Sequence, residues 1–241
     1  DVFAFWQAVK TKPCELIELL KEHTPILDHG GDPERIRIAL DFWRSIQNDR
    51  YCQLFPAGYR FLFLNKTCFS GVQTGGPTGG LKQDKYQLTS RWSLDTTIRL
   101  ICQAHQVLQD CRITNLGWDE VVKESDPEAA YYLDPPYLEK GDQCYRYSFT
   151  EPQHRELAHW LTQTPCRFVL TVDDCPVIRR IYMEEGVSEE QMLCEQWLYS
   201  MSDYRESNRV GKELFVVDVR SIEALRRNMP RRRVQKEIFG V

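Results

Sequence analysis

Between residues 112 and 219, short β-type runs are separated by helical stretches, and this rhythm constrains the fold more than any other feature. The runs are RITNL (112–116), AYYL (130–133), RFVLTV (167–172), QWLYSM (196–201) and ELFVVDV (213–219). WDEVVKES (118–125), residues 150–163 and a stretch near 176–184 carry helical spacing between them. A strand with one wet face alternates apolar and polar residues, whereas an unbroken run is covered on both faces. The pattern therefore predicts an α/β fold with a mostly parallel sheet. Thr150 and Gln153, three apart with Pro152 in the first turn, predict a capped helix start.

The first half lacks this rhythm. Residues 2–22 read as helix, with Phe5, Trp6, Val9, Leu16, Ile17, Leu19 and Leu20 on apolar faces and a break near Pro13. Asp32 and Pro33 predict a helix start followed by Ile36, Ile38, Leu40 and Trp43, and Ser93 predicts another through Ile98, Ile101 and Leu108. Between them lie YRFLFLNKTCFSG (59–71), which passes from apolar to polar, and a glycine-rich loop, GGPTGG (75–80), read as a turn. Residues 1–24 are assigned to a helix of the catalytic domain, 25–105 to a mainly helical insertion, 106–225 to the α/β domain and 226–241 to a basic tail.

Charge divides unevenly along the chain. Arg226, Arg227, Arg231, Arg232, Arg233 and Lys236 face only Glu237 in the tail, which carries +5, while the chain as a whole carries −4. Such a tail can attract phosphate, though charge by itself specifies no partner. The nine cysteines include no CxxC pair, and the five histidines do not complete zinc spacing. Reduced thiols in a cytoplasmic protein are expected, without a disulfide framework or bound metal. No run is long enough to span a membrane. The chain opens on Asp1 within a helical pattern, so it is expected to begin partway through a longer protein.

The run AYYL ends in Asp134-Pro135-Pro136-Tyr137. In open α/β sheets ligands bind beyond the carboxyl ends of strands. Two prolines fix the backbone there and remove two N–H donors, leaving a carboxylate and carbonyls as acceptors beside an aromatic ring. That combination suits a planar ring bearing an amino group. Asp134 and the Pro135 carbonyl take the amine's two N–H bonds, while Tyr137 stacks on the ring. An amine held in this way aims its lone pair at an electrophile. The same four residues also serve as an ordinary strand-ending turn.

With YYLDPPY, the stretches FTEPQHRELAHWL (149–161), RFVLTVDD, KELFVVDV and FLNKTCFSG place the sequence beside a known family, in the family's order. The chain resembles the Dam-like DNA adenine methyltransferases. The resemblance implies a Rossmann-like S-adenosylmethionine-dependent sheet, incomplete at the N-terminus, with an inserted helical DNA-recognition subdomain. It implies methyl transfer from S-adenosylmethionine to the exocyclic amine of adenine in double-stranded DNA, with the base flipped out, as in restriction-modification systems. Asp134, Pro135, Pro136 and Tyr137 become the catalytic motif; at Tyr137 the ring, not the hydroxyl, is expected to matter. Asp134 and Trp118 become cofactor contacts. Asn65, Lys66, Phe69 and Ser70 become substrate contacts, with Lys66 on phosphate and Phe69 as wedge or base contact, and Tyr145 and Tyr147 cover the target base. Core packing is the alternative for Trp118, Phe69, Tyr145 and Tyr147. A monomer is expected.

The sequence departs from the family in three places. The glycine-rich cofactor loop of the form PFxGGG, the KWxGGK-type segment and the acid for the cofactor ribose would all precede Asp1. LGWDE (116–120) has Gly117 where the family usually has an acid, and Lys66 stands where arginine is commoner. Two other readings accompany the first: methylation of a different planar amine or amide, such as RNA adenine or a protein glutamine, and a truncated, catalytically silent remnant that binds DNA or another partner.

Overall fold

A computed structural model describes residues 1–123, 126, 128–138, 149–198, 210–222 and 227. Contacts divide the chain into two compact units, Asp1–Trp118 and Asp119–Val241. By packing, residues 1–24 belong with 25–105 in the first of them.

The first unit is helical. Its helices are α1 (Val2–Thr11), α2 (Pro13–Leu27), α3 (Pro33–Asn48), α4 (Leu54–Thr67) and α5 (Leu94–Val107). The break expected at Pro13 is the boundary between α1 and α2, where proline takes the first helical position. The Asp32 carboxylate accepts the Arg35 N–H at 2.9 Å and caps α3 as expected. Ala39, Leu40, Trp43 and Ile46 bury one face of α3 at helical spacing, while Ile38 and Trp6, expected on apolar faces, stay exposed. Phe63 of α4 is fully buried, with Phe42 and Trp92 edge-on to its ring. Gly58 permits the crossing of α4 on α1, since a Cβ there would lie 2.5 Å from the Ala4 carbonyl oxygen.

RITNL is not a strand, which corrects the expectation for 112–116. Side chains of α1 meet the Ile113 carbonyl and that of Cys111, just before the segment. The Gln7 amide donates to the Ile113 oxygen at 3.0 Å, and the Lys10 ammonium donates to the Cys111 oxygen at 2.6 Å. The Ile113 carbonyl thus finds a partner without a ladder.

The second unit contains a four-stranded sheet among the described residues, formed by β1 (Ala130–Leu133), β2 (Arg167–Asp173), β3 (Met192–Leu198) and β4 (Val210–Val217) in the order β1-β2-β4-β3. Helix α6 (Trp118–Lys123) precedes β1, α7 (Glu151–Gln163) precedes β2, and α8 (Pro176–Glu184) follows it. Thr150 and Gln153 form the expected capping box at the start of α7. Trp160 of α7 packs edge-on against Tyr131 of β1, with ring centres 5.2 Å apart.

The sheet is not mostly parallel. β1 and β2 pair in parallel, with Leu133 opposite Leu170, but β4 runs antiparallel to both β2 and β3. Consecutive residues of β2 and β4 are buried, so both faces are covered at these central strands. Unbroken apolar runs report that coverage, not strand direction. The strand expected at 196–201 begins earlier, at Met192. The described cysteines are all free thiols, and no described cluster of His, Cys, Asp and Glu could hold a metal. No described helix is long and apolar enough to cross a membrane.

Candidate active site

The site is built at the carboxyl end of β1, an edge strand whose Tyr132 is 70% exposed. Asp134 follows directly and is exposed; Pro135, Pro136 and Tyr137 are half-buried. Three bonds tie this segment to its neighbours. The Thr171 hydroxyl of β2 donates to Asp134 Oδ1 at 3.0 Å, with the Leu133 carbonyl farther off at 3.4 Å. A hydroxyl has one proton to give, so the nearer, charged acceptor is the better partner. The Leu138 N–H donates to Asp173 Oδ1 at 3.4 Å, and the Tyr137 phenol donates to Glu213 Oε1 at 2.5 Å.

Glu213 was read in the sequence only as the start of an apolar strand. Because β4 is antiparallel to β2, its amino-terminal end lies beside the carboxyl end of β2, with Glu213 opposite Asp173. Glu195 of β3 is opposite Glu213 on the other side. Paired residues share a sheet face, so Asp173, Glu213 and Glu195 form a row of carboxylates. In a parallel sheet Glu213 would fall at the opposite end. Thr171, Asp173 and Glu213 are the site residues that sequence reasoning missed. Their one available signal was position: Asp173 and Glu213 border an apolar run, and Thr171 interrupts one.

Asp173 is 5% exposed and bears on the interior behind the site. His154 of α7 and Tyr182 of α8 are fully buried, with His154 Nδ1 3.2 Å from the Tyr182 hydroxyl. Burial lowers the His154 pKa to about 4, against a smaller upward pull from Asp173. Burial also raises the Tyr182 pKa, and Asp173 adds to it. The imidazole is therefore neutral at physiological pH. Asp174, the next residue, is held below the usual carboxylate range chiefly by its bond to Arg179, whose Nη2 lies 3.0 Å from Asp174 Oδ2.

Asn65, Lys66, Phe69 and Ser70 lie in the first unit, at and beyond the end of α4. Burial lowers the Lys66 pKa, and the nearby positive Arg91 lowers it further. Phe69 is 61% exposed, so core packing does not account for its ring. Ser70 has a left-handed backbone, with φ +54°. The glycine-rich segment 75–80 is a built turn: Gly79 has φ +84°, and a Cβ there would collide with the Tyr86 carbonyl oxygen at 1.8 Å. The Gln83 amide group closes the turn by donating to the Thr78 and Gly80 carbonyls at 2.7 and 2.6 Å. Trp118 is half-buried at the start of α6. Tyr145, Tyr147 and the tail, Arg227 excepted, lie outside the described residues.

Chemically, the end of β1 offers a pinned, solvent-facing carboxylate and a phenol ring tethered at its far end. Compared with known families, residues 1–201 match the model of the D12 class N6 adenine-specific DNA methyltransferases. No curated protein matches the chain.

Proposed function

The chain belongs to the D12 class of N6 adenine-specific DNA methyltransferases, and on that premise we propose that it transfers methyl groups from S-adenosylmethionine to the exocyclic amine of adenines flipped out of double-stranded DNA. One observation carries the reading: Asp134 and Tyr137, at the end of β1, are held by side-chain bonds to Thr171 of β2 and Glu213 of β4. A carboxylate and a ring fixed relative to each other suit a planar base bearing an amine.

Asp134 and the Pro135 carbonyl accept the two N–H bonds of the amine, and Tyr137 stacks on the base. Thr171 limits the rotation of Asp134, so little ordering remains at the moment of reaction. S-adenosylmethionine, when bound, supplies an electrophilic methyl on a sulfonium. The donor set fits this group, since an exposed carboxylate at the strand end can face a cation. Asp134 and Trp118 are the residues assigned to hold it. The amine proton leaves past Asp134, which opens to solvent.

Residues 25–105 are proposed to face DNA, with Asn65, Lys66 and Ser70 on the backbone and the exposed Phe69 at the space left by the flipped base. The Rossmann-like character of residues 106–225 belongs to the same proposal. The basic tail adds sequence-independent attraction to phosphate.

The test incubates the full-length protein with S-adenosylmethionine and bacterial DNA free of adenine methylation, then digests the DNA to nucleosides. N6-methyladenine is expected with the wild type, and roughly 10²-fold more slowly with Asp134→Ala. DNA binding without any methylated adenine would favour the silent remnant, and methyl incorporation into RNA or protein instead would overturn the choice of substrate.

A further inference from the structure

We infer that Glu213 is a positioning residue for the transfer reaction, acting through the hydroxyl of Tyr137; the inference rests on the role proposed above for the Tyr137 ring. β2 lies between β1 and β4, so the Tyr137 side chain reaches across the end of β2 to meet Glu213. The next residue, Leu138, is held through its N–H by Asp173 on β2. Two strands thus grip two successive residues, one by the side chain and one by the backbone. A phenol anchored at its far end cannot swing about its Cα–Cβ bond without breaking that anchor. The plane on which a base would stack is set before the base arrives.

The carboxylate row makes the assignment sharper. Asp173, Glu213 and Glu195 are opposite one another across three strands on one sheet face. Like charges directly opposite disfavour the sheet. Removing Glu213 would relieve that repulsion but also lose the Tyr137 bond, so a role confined to stability predicts that Glu213→Ala shifts the melting temperature and leaves the rate unchanged. A positioning role predicts a loss of rate in the same variant. The two are separable in one protein.

The experiment is a double-mutant cycle on the full-length protein, with tritiated S-adenosylmethionine and adenine-unmethylated bacterial DNA. Tyr137→Phe and Glu213→Ala are each expected to lower kcat roughly tenfold, the scale of one hydrogen bond to a charged group. KM for S-adenosylmethionine should change less than about twofold, because neither residue is assigned to the cofactor. The double variant should be no slower than either single variant. Glu213→Gln, which retains an oxygen that accepts from the phenol, should recover most of the rate, and thermal melts should show every variant folded at the assay temperature. Losses that multiply in the double variant would overturn the inference, as would a wild-type kcat in Glu213→Ala. A wild type that methylates no adenine would instead remove the functional reading, and the inference with it. Active wild type with multiplying losses removes the inference alone.

Discussion

The two units bury different things. The first closes around Phe63, Leu64, Leu16, Leu20 and Leu27, all fully buried, and its interior polar groups are mostly uncharged, as with Thr67, Thr78, Gln83 and Thr97. The second buries Asp173, Asp218 and His154 beside Tyr182. Apolar burial stabilises without regard to direction, whereas a buried ionisable group is costly unless its partners are placed. Asp218 illustrates a structural use. Burial pushes its pKa up, but bonds from Ser221, Arg220 and the Phe168 N–H outweigh that and leave it lowered. Asp173 has a different setting, since it holds the backbone after Pro136-Tyr137 and lies near His154 and Tyr182. Among the described residues the first unit buries His29 but no carboxylate, so buried carboxylates are confined to the unit whose strand ends carry the candidate chemistry.

The comparison breaks most readily at Phe63. Phe63→Ala leaves a cavity where Phe42 and Trp92 now pack, and should cost about 3–5 kcal/mol of stability, read from urea unfolding. An unfolding midpoint close to wild type would mean that the helical core collapses around the gap. Asp134→Ala should do the opposite. Its side chain is exposed, so the urea midpoint should stay put while single-turnover transfer falls roughly 10²-fold. Loss of stability in parallel with rate would remove the distinction between the units.

His154 supplies a pH test of the second unit. Its folded pKa, about 4, lies below the unfolded value of 6.5, so the unfolded chain binds a proton first as pH falls. Stability is therefore complete above about pH 6.5 and declines toward pH 4, by on the order of 2–3 kcal/mol. His154→Phe should flatten that slope, and unfolding curves at several pH values measure it. An unchanged slope in the variant would assign the acid sensitivity to other groups. The smallest effect is expected at Thr171. Thr171→Val removes the donor to Asp134 and should slow transfer about fivefold, near 1 kcal/mol, with little change in cofactor KM.

Much of the local structure was legible before any coordinates. The Pro13 break, the Asp32 cap, the Thr150–Gln153 box and the runs 130–133 and 167–172 are read from neighbouring residues, and the structure places elements there. Cap and turn chemistry acts over three or four residues, which is why sequence carries it. RITNL failed because its β-type composition says nothing about partners, and Gln7, more than a hundred residues earlier, bonds the Ile113 carbonyl. Within the site, Asp134 through Tyr137 stood out because two prolines after an apolar run are a local signal.

What the sequence by itself determined is thus the helix caps and breaks, the runs 130–133 and 167–172 and the acid-proline-aromatic motif, all products of short-range sterics and hydrogen bonding. Tertiary structure alone decided the direction of β4. A run buried on both faces has the same composition whether it pairs parallel or antiparallel, since coverage by other elements, not strand polarity, selects its residues. That choice, made by pairing across the sheet, brought Glu213 to the Tyr137 hydroxyl and gave the motif its supports.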